Sequence, residues 1–560
     1  MALKKITSII AATSALLCSF SVLAAAPGQP DAGQVIRDLQ QQLELKPKAT
    51  TPVPAPRIEG ETTPPPTTVT PDANARVAVK AVHVTGITVF PADELESVVA
   101  YLVGGEHTLT ELKEGAARIT AFYRERGYVV ARAYLPLQEI KSGAVVINVQ
   151  EGHIGKQIIN NHSRISDQRA TDFLSSAKTG DVLQAAPVDR EIFLLNETPG
   201  VGQARAALQP GASVGTADIL YELTPSAPYN ANIEMDNYGN YYTGEYRLGA
   251  ELILNSPLKT GDQLSLRGMH TNQKMSYEYV AYQVPVGGSG LRLGATYFTS
   301  SYFLGKDFAD LQAHGIAKNN SFFATYPFIR NLSSSLSGTL TYESKKLIDT
   351  SLDIFGFNDT TDKQIRLLDL GLNGRHQDTL GQAGITSFDL TLAKGKVKDD
   401  SLNAPLNGSF TRLSYNINRL QRISDDDSLS VMVSGQLANK KLNSSEKFSL
   451  GGPNGVRAYP AGEGSGDHGW LANIELRHSF TTTLQGMVFY DRGAVDNRYP
   501  LFSGERDRRI AGAGVGANVK LGDVQIKATY AFQTSGGQAE SEPKTMNRKS
   551  RLWLQASWQF

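Results

Sequence analysis

From about residue 229 to the C-terminus, apolar and polar residues alternate with a period of two. Trp470, Ala472, Ile474 and Leu476 alternate with Asn473, Glu475 and Arg477. Val524, Ile526, Ala528, Tyr530 and Phe532 alternate with Gln525, Lys527 and Thr529, and Leu552, Leu554, Ala556, Trp558 and Phe560 with Gln555, Ser557 and Gln559. Roughly sixteen such segments fit between residues 229 and 560, one per ~21 residues, which is the spacing of membrane-crossing strands with a lipid face and a lumen face. A soluble sandwich shows similar dyads but needs fewer strands. Short turns near Asn255–Asp262, Pro285–Gly290, Ser424–Asp427, Phe480–Leu484 and Leu521–Asp523 alternate with longer polar connections. The latter are expected as loops near Lys345–Lys363, Lys394–Asn407, Asn439–Gly469, Ala494–Arg508 and Gln533–Ser550. Short turns on one side and long loops on the other predict a 16-stranded antiparallel transmembrane β-barrel. Both chain ends of the barrel and its short turns then face the periplasm.

Upstream, the pattern changes to mixed periods. Residues 76–151 read β-α-α-β-β, with a strand over Val77–Gly86, helices marked by Leu95, Val98, Val99, Leu102 and by Leu109, Leu112, Ala116, Ile119, Phe122, and strands near Val129–Leu135 and Val145–Gln150. Residues 152–225 repeat that order, with helices near Asp167–Ser176 and Pro187–Asn196. Before them, residues 26–46 predict a helix capped by Asp31 with Val35, Ile36, Leu39 and Leu43 on one face. Residues 47–75 are Pro- and Thr-rich, a composition that makes an extended spacer rather than a core.

Composition narrows the class. Lys+Arg and Asp+Glu both number 55, a balance that argues against a nucleic-acid binder. Residues 1–25 read as a secretory signal, with Lys4 and Lys5 ahead of an apolar run and small residues at its end. The single cysteine, Cys18, lies within it, so the mature chain is expected to carry no disulfide and no thiolate metal site. The nine histidines show no zinc spacing and no Walker A sequence occurs, so no metal, cofactor or nucleotide is expected. Gly211-Ala212-Ser213-Val214-Gly215 matches a nucleophile-elbow pattern, but a strand follows it rather than a helix. Gly512-Ala513-Gly514-Val515-Gly516 falls on a barrel strand, where small residues let lumen contents approach the wall. No enzyme is expected.

Several short motifs carry a family resemblance. They are Arg126-Gly127-Tyr128 with Ala131 to Pro136, Leu194-Leu195-Asn196 with Pro199-Gly200, Val456-Arg457-Ala458-Tyr459 after Gly451-Gly452, and Phe489-Tyr490-Asp491-Arg492-Gly493. In this order, before and within a barrel, they resemble the POTRA-barrel superfamily, and the N-terminal helix and linker resemble its two-partner secretion branch, the TpsB or haemolysin secretion/activation transporters. The resemblance implies two POTRA domains and a lumen-folding loop over about 439–469. It implies a lid motif at Gly451, Gly452, Val456, Arg457, Ala458 and Tyr459, and a barrel-wall motif at Phe489, Asp491 and Gly493. Ala458 stands where the family usually has glycine. Read from the residues, Met487, Phe489 and Asp491 share one strand face, and a carboxylate is too costly toward lipid, so Asp491 should face the lumen and offer Arg457 a partner.

The resemblance further implies an outer-membrane pore that captures an unfolded exoprotein in the periplasm and conducts it outward. The partner is then a large secreted protein with an N-terminal secretion domain (haemolysin, adhesin or growth-inhibition toxin), and its folding outside supplies the energy. Trp558 and Phe560 resemble the C-terminal signal read by the barrel-assembly machinery, and the outer dyads should meet outer-membrane lipid. The helix is expected to plug the lumen or to dock on a POTRA groove. A general barrel-assembly insertase and a passive porin or receptor are the alternatives.

Overall fold

The structure is a computed structural model and describes residues 30–44, 58–59, 76–140, 142–353, 355–399, 406–497 and 507–560. The expected signal segment and all of the linker except Ile58–Glu59 lie outside these residues.

Helix α1 (Ala32–Glu44) comes first, then the two-residue strand β1 (Ile58–Glu59). A first α/β unit contains β2 (Arg76–Ala78), β3 (Ala81–Thr85), α2 (Ala92–Val98), β4 (Glu106–Thr108), α3 (Leu109–Glu125), β5 (Arg132–Tyr134) and β6 (Ala144–Gln150). Thr108 and Glu111 cap α3 reciprocally, the Glu111 N–H reaching Thr108 Oγ1 and the Thr108 N–H reaching Glu111 Oε2. Leu112, Ala116, Ile119 and Tyr123 on α3 bury themselves against Val82, Val84, Val145 and Ile147 of the sheet β3-β6-β5. The strand expected over Val77–Gly86 is broken in two. Val79 N–H donates to Gly105 O and Lys80 N–H to Gly143 O, so the chain changes ladders there. The helix expected to reach Leu102 ends at Val98 and continues as a 3-10 turn, Ala100–Leu102.

The second unit repeats the order, with β7 (His153–Asn161), α4 (Asp167–Asp172), α5 (Ala185–Asn196), β8 (Val201–Pro210) and β9 (Thr216–Pro225). Each unit buries one glutamate that pins a loop. Burial acts to raise the Glu151 carboxyl, yet donors from Thr88, Val89 and Tyr123 hold it below the usual range. Burial pushes Glu191 up, although Tyr221 Oη and the N–H groups of Ser176 and Ala177 donate to it. β1 adds to the second sheet, pairing parallel with β8 at Ile58↔Ala206 and Glu59↔Ala207.

The barrel begins with β10 (Tyr229–Asp236), β11 (Arg247–Asn255), β12 (Gln263–Thr271), β13 (Ser276–Val286), β14 (Leu291–Phe303), β15 (His314–Arg330), β16 (Ser334–Leu352) and β17 (Asn358–Asp378). It continues with β18 (Gly384–Asp399), β19 (Gly408–Arg422) and β20 (Asp427–Ala438). A long loop then carries β21 (Phe448–Ser449) and β22 (Ser465–Gly466). The last strands are β23 (His468–Ser479), β24 (Leu484–Asp496), β25 (Arg508–Leu521), β26 (Val524–Ser535) and β27 (Ser550–Gln559). Sixteen antiparallel strands close when β27 pairs with β10, for example Ile233↔Trp558. The dyads face as the alternation predicts, with Leu368, Leu370, Tyr530 and Leu552 outward and exposed.

Two expected loops are shorter than the polarity suggested. Lys345–Lys363 is almost all strand, because β16 and β17 stay paired up to Leu352↔Asn358. Likewise β18 runs to Asp399. These strands outrun the apolar band, and their polar ends lie in the ladder rather than in a loop.

The second unit docks on the periplasmic turns of the barrel through arginines that reach backbone oxygens. Arg169 donates to Thr260 O at 3.1 Å and also to Pro285 O, and Arg190 donates to Pro327 O at 2.9 Å. Arg292 donates to Glu197 O at 2.6 Å, while Arg330 pairs with the Glu197 carboxylate at 2.9 Å.

Candidate translocation lumen

Helix α1 lies inside the barrel. Its apolar stripe, Val35, Ile36 and Leu39, packs in one cluster with inward-facing Phe298, Tyr302 and Leu304. Leu43 belongs to the helix, but its side chain lies outside the described residues. The opposite face is also buried, because the long loop after β20 covers it. Arg37 Nε donates to Lys447 O (2.8 Å), and Gln41 forms a two-way amide pair with the Ser449 backbone (2.6 and 3.1 Å). At the N-terminus Asp31 Oδ1 caps Gln34 N–H, and Ala32 N–H donates to Asp349 Oδ1 on β16 (2.7 Å). The helix does not occupy a POTRA groove.

The loop, residues 439–467, folds back into the lumen and brings together the residues of the two motifs. Asp491 on β24 is fully buried and accepts Arg457 N–H (3.1 Å), Arg457 Nε (2.8 Å), Arg457 Nη2 (2.6 Å) and Asn473 Nδ2 (2.7 Å). The third guanidinium nitrogen, Nη1, reaches Glu475 Oε1 at 2.5 Å. The guanidinium plane lies over Phe489, 3.5 Å from the ring centre. Trp553 Nε1 donates to Arg457 O (2.7 Å), and Tyr459 Oη donates to Ser535 O and Gly537 O. Each of the three guanidinium nitrogens thus donates to a carboxylate, as a cation withdrawn from water needs.

The small residues around this lock have steric reasons. A Cβ on Gly512 of β25 would stand 2.4 Å from Ala458 Cβ, and one on Gly493 would stand 2.7 Å from Leu450 Cδ2. Ala458 is buried and is not among the residues with positive φ, whereas Gly452 has φ +111. The alanine therefore fits its backbone. Gly451 bridges to Val456 and shapes the tip.

Residue-level reasoning missed two further anchors. Glu446 is fully buried between Lys345 Nζ on β16 (2.7 Å) and Arg412 Nη2 on β19 (3.3 Å). Glu463 takes Arg508 of β25 at 2.7 Å and the N–H groups of Glu540 and Ser541. The available signal was parity: Lys345, Arg412 and Arg508 stand at lumen positions of their strands, where a charge needs a partner.

At the other end of the chain, Trp558 and Phe560 are 49% and 51% exposed on the outer face, with ring centres 4.3 Å apart. Among the described residues no cluster of three or more metal-ligating side chains occurs.

These features define an outer-membrane β-barrel with a periplasmic POTRA region, its lumen filled by a helix and an inward loop. The family model "Haemolysin secretion/activation protein ShlB/FhaC/HecB" matches residues 215–519, and the ShlB-type POTRA domain matches residues 77–152. The chain belongs to the haemolysin secretion/activation family. Heme/hemopexin transporter protein HuxB of Haemophilus influenzae is 28% identical over 574 aligned residues, 98% of each chain. Hemolysin transporter protein ShlB of Serratia marcescens is 24% identical over 459, 79% of each. The structure of CdiB from Escherichia coli matches with a TM-score of 0.74 at 19% identity, covering 97% of this chain and all of the other. The protein is a two-partner secretion transporter of the outer membrane, which exports an exoprotein to the cell surface.

Proposed function

We propose that the exported partner is a large exoprotein with an N-terminal secretion domain, captured unfolded by two POTRA domains spanning residues 76–151 and 152–225. The repeat of the β-α-α-β-β order supports the second domain. Capture proceeds by strand addition, since main-chain pairing tolerates many sequences. The chain's own Ile58–Glu59, seated on the edge of β8, supports that edge as a receptive one. Residues 229–560 form the conducting barrel, α1 is its plug, and Arg457 with Asp491 locks the loop tip. The observation that carries this reading is the Arg457 fork, all three of its nitrogens on carboxylates, against a buried Asp491 inside a barrel that also holds helix α1.

The heme/hemopexin transporter is matched over the whole chain and the haemolysin transporter over about four fifths, which favours a partner of the former's kind. Trp558 and Phe560 present the insertion signal to the barrel-assembly machinery, and the outer dyads contact outer-membrane lipid. The family match favours neither a general insertase nor a passive porin. The test is secretion of a co-expressed exoprotein with an N-terminal secretion domain by cells carrying or lacking this protein. Periplasmic retention of that exoprotein only in the deletion supports the reading, and its unchanged appearance in the medium refutes it.

A further inference from the structure

The extended ends of β15 to β18 carry a basic cluster on the outside of the barrel. Lys318, Lys346, Arg366, Lys394 and Lys396 are all exposed and all share strand parity with outward apolar residues. Those residues are Phe322 on β15, Leu340 and Tyr342 on β16, Leu368 and Leu370 on β17, and Leu390 and Leu392 on β18. The bases therefore stand on the membrane side of the wall, directly above the apolar band.

Their height is common. Lys318 lies twelve residues from Arg330, Lys346 twelve from Ser334, Arg366 twelve from Asp378 and Lys396 twelve from Gly384, each counted from the periplasmic end of its strand. At roughly 3.3 Å per residue and a tilt of about 40°, twelve residues rise about 30 Å, just past the ~25 Å apolar band of such barrels. A lipid-facing base is costly at mid-membrane and nearly free at the boundary, so this height is where a row of them can persist.

The register makes the row unusual. Lys318 pairs directly with Lys346, and Arg366 directly with Lys396. Like charges facing across a ladder destabilise a sheet unless an anion sits between them. Asp362 answers Lys346 at 3.0 Å. Among the described residues no carboxylate forms an ion pair with Lys318, Arg366, Lys394 or Lys396. On the same face, Glu278 lies two strands from Lys318, through Thr299. Lys398 continues the row outward. Elsewhere the outer wall carries apolar residues such as Trp470 and Phe532 and the exposed bases Arg492 and Arg509, of which Arg492 stands eight residues from Leu484, below this level.

We propose that this face binds a phosphorylated glycolipid of the outer leaflet, of the lipid A type. Its acyl chains lie along Leu368, Leu370, Leu390 and Leu392, and its sugar phosphates bridge Arg366, Lys394 and Lys396 on one side and Lys318 and Lys346 on the other. Four adjacent strands spaced ~4.8 Å apart span about 14 Å, a width suited to a disaccharide with a phosphate at each end. Arginine supplies the two-pronged phosphate contact and the lysines supply point charges. The proposal needs only the barrel's place in the outer membrane and is independent of the identity of the exported partner.

The experiment uses full-length protein in zwitterionic detergent. It is titrated with bis-phosphorylated lipid A, monophosphorylated lipid A or phosphatidylglycerol, and binding is read by native mass spectrometry. The bis-phosphorylated lipid should bind at least tenfold tighter than phosphatidylglycerol, with the monophosphorylated lipid between them. The triple variant Arg366→Gln, Lys394→Gln, Lys396→Gln should lose at least tenfold, whereas Arg492→Gln should bind as the parent does. Equal affinity for lipid A and phosphatidylglycerol in the parent overturns the site, and that comparison requires no variant to assemble. An unchanged triple variant, or an equal loss in Arg492→Gln, overturns it as well.

Discussion

Removing the Asp491 carboxylate should free the loop tip without unfolding the barrel. Asp491→Ala deletes the acceptor of three bonds from Arg457 and one from Asn473 in a fully buried position. Breaking a buried, hydrogen-bonded ion pair from one side costs about 3–5 kcal/mol, because the remaining charge stays desolvated. Arg457 still keeps Glu475, so the lower half of that range applies to Asp491→Ala. Arg457→Ala removes both carboxylate contacts and the ring stack, and belongs in the upper half. At ~1.4 kcal/mol per decade, these costs shift the docked-to-undocked ratio of the tip by roughly two to three and a half decades. Barrel closure rests on sixteen paired strands and should be unaffected. The assay has two readings, protease protection of residues 450–460 in isolated outer membranes, and exoprotein released to the medium normalised to heat-modifiable barrel. The two single variants and the double variant complete a cycle, in which groups in direct contact couple by about 2–3 kcal/mol. Additive effects on both readings would mean that the pair does not act as one unit, and full protection in Asp491→Ala would sink the lock altogether. The charge exchange Arg457→Asp with Asp491→Arg should restore only part, because the Arg457 N–H also binds Asp491.

Three other outcomes are expected. Deleting residues 27–46 should raise single-channel conductance in planar bilayers while leaving secretion largely intact, and identical conductance would count against a plug. Glu446→Gln weakens the seat of the loop arm that carries α1, so maleimide labelling of a cysteine placed at Val35 should speed up by roughly tenfold or more. Arg457→Ala should leave that labelling rate alone, and equal acceleration by both variants would show the loop to be one rigid body. Deleting Phe560 should lower heat-modifiable barrel in the outer membrane, and an unchanged amount there refutes its role as an insertion signal.

The barrel was legible because its dyads are a physical necessity. Alternate residues of Trp470–Leu476 or Leu552–Phe560 face outward and are exposed, and a membrane-spanning barrel is the architecture that repeats such a pattern over sixteen strands. The ends of β16 and β17 were misread as loop because polarity marks the edge of the membrane, not the end of pairing. The contact of Arg457 with Asp491 was legible only through motif order. Spacing alone favoured an exposed arginine and a solvated carboxylate. Glu446 and Glu463 were invisible because their partners, Lys345, Arg412 and Arg508, lie on strands far away in the chain and become neighbours only when the barrel closes.

The lumen is closed by two bodies held by different chemistry. The loop tip sits on the β23–β27 half of the wall, through Arg457, Tyr459 and Glu463. Helix α1 and the arm over Ser444–Ser449 sit on the β14–β19 half, through Asp349, Lys345 and Arg412. The two seats open at different cost. Most polar bonds of α1 are neutral or run to backbone oxygens, and water can replace such bonds for about 0.5–1.5 kcal/mol each. Its apolar stripe of three described residues can be re-covered on any hydrophobic surface. The arginine fork has no such substitute, since a lumen narrow enough to hold the tip gives its charges too little water. The element that yields to an incoming chain should be the one with the cheaper bonds. That assigns movement to the helix and leaves the tip as the fixed wall along which the exported chain passes.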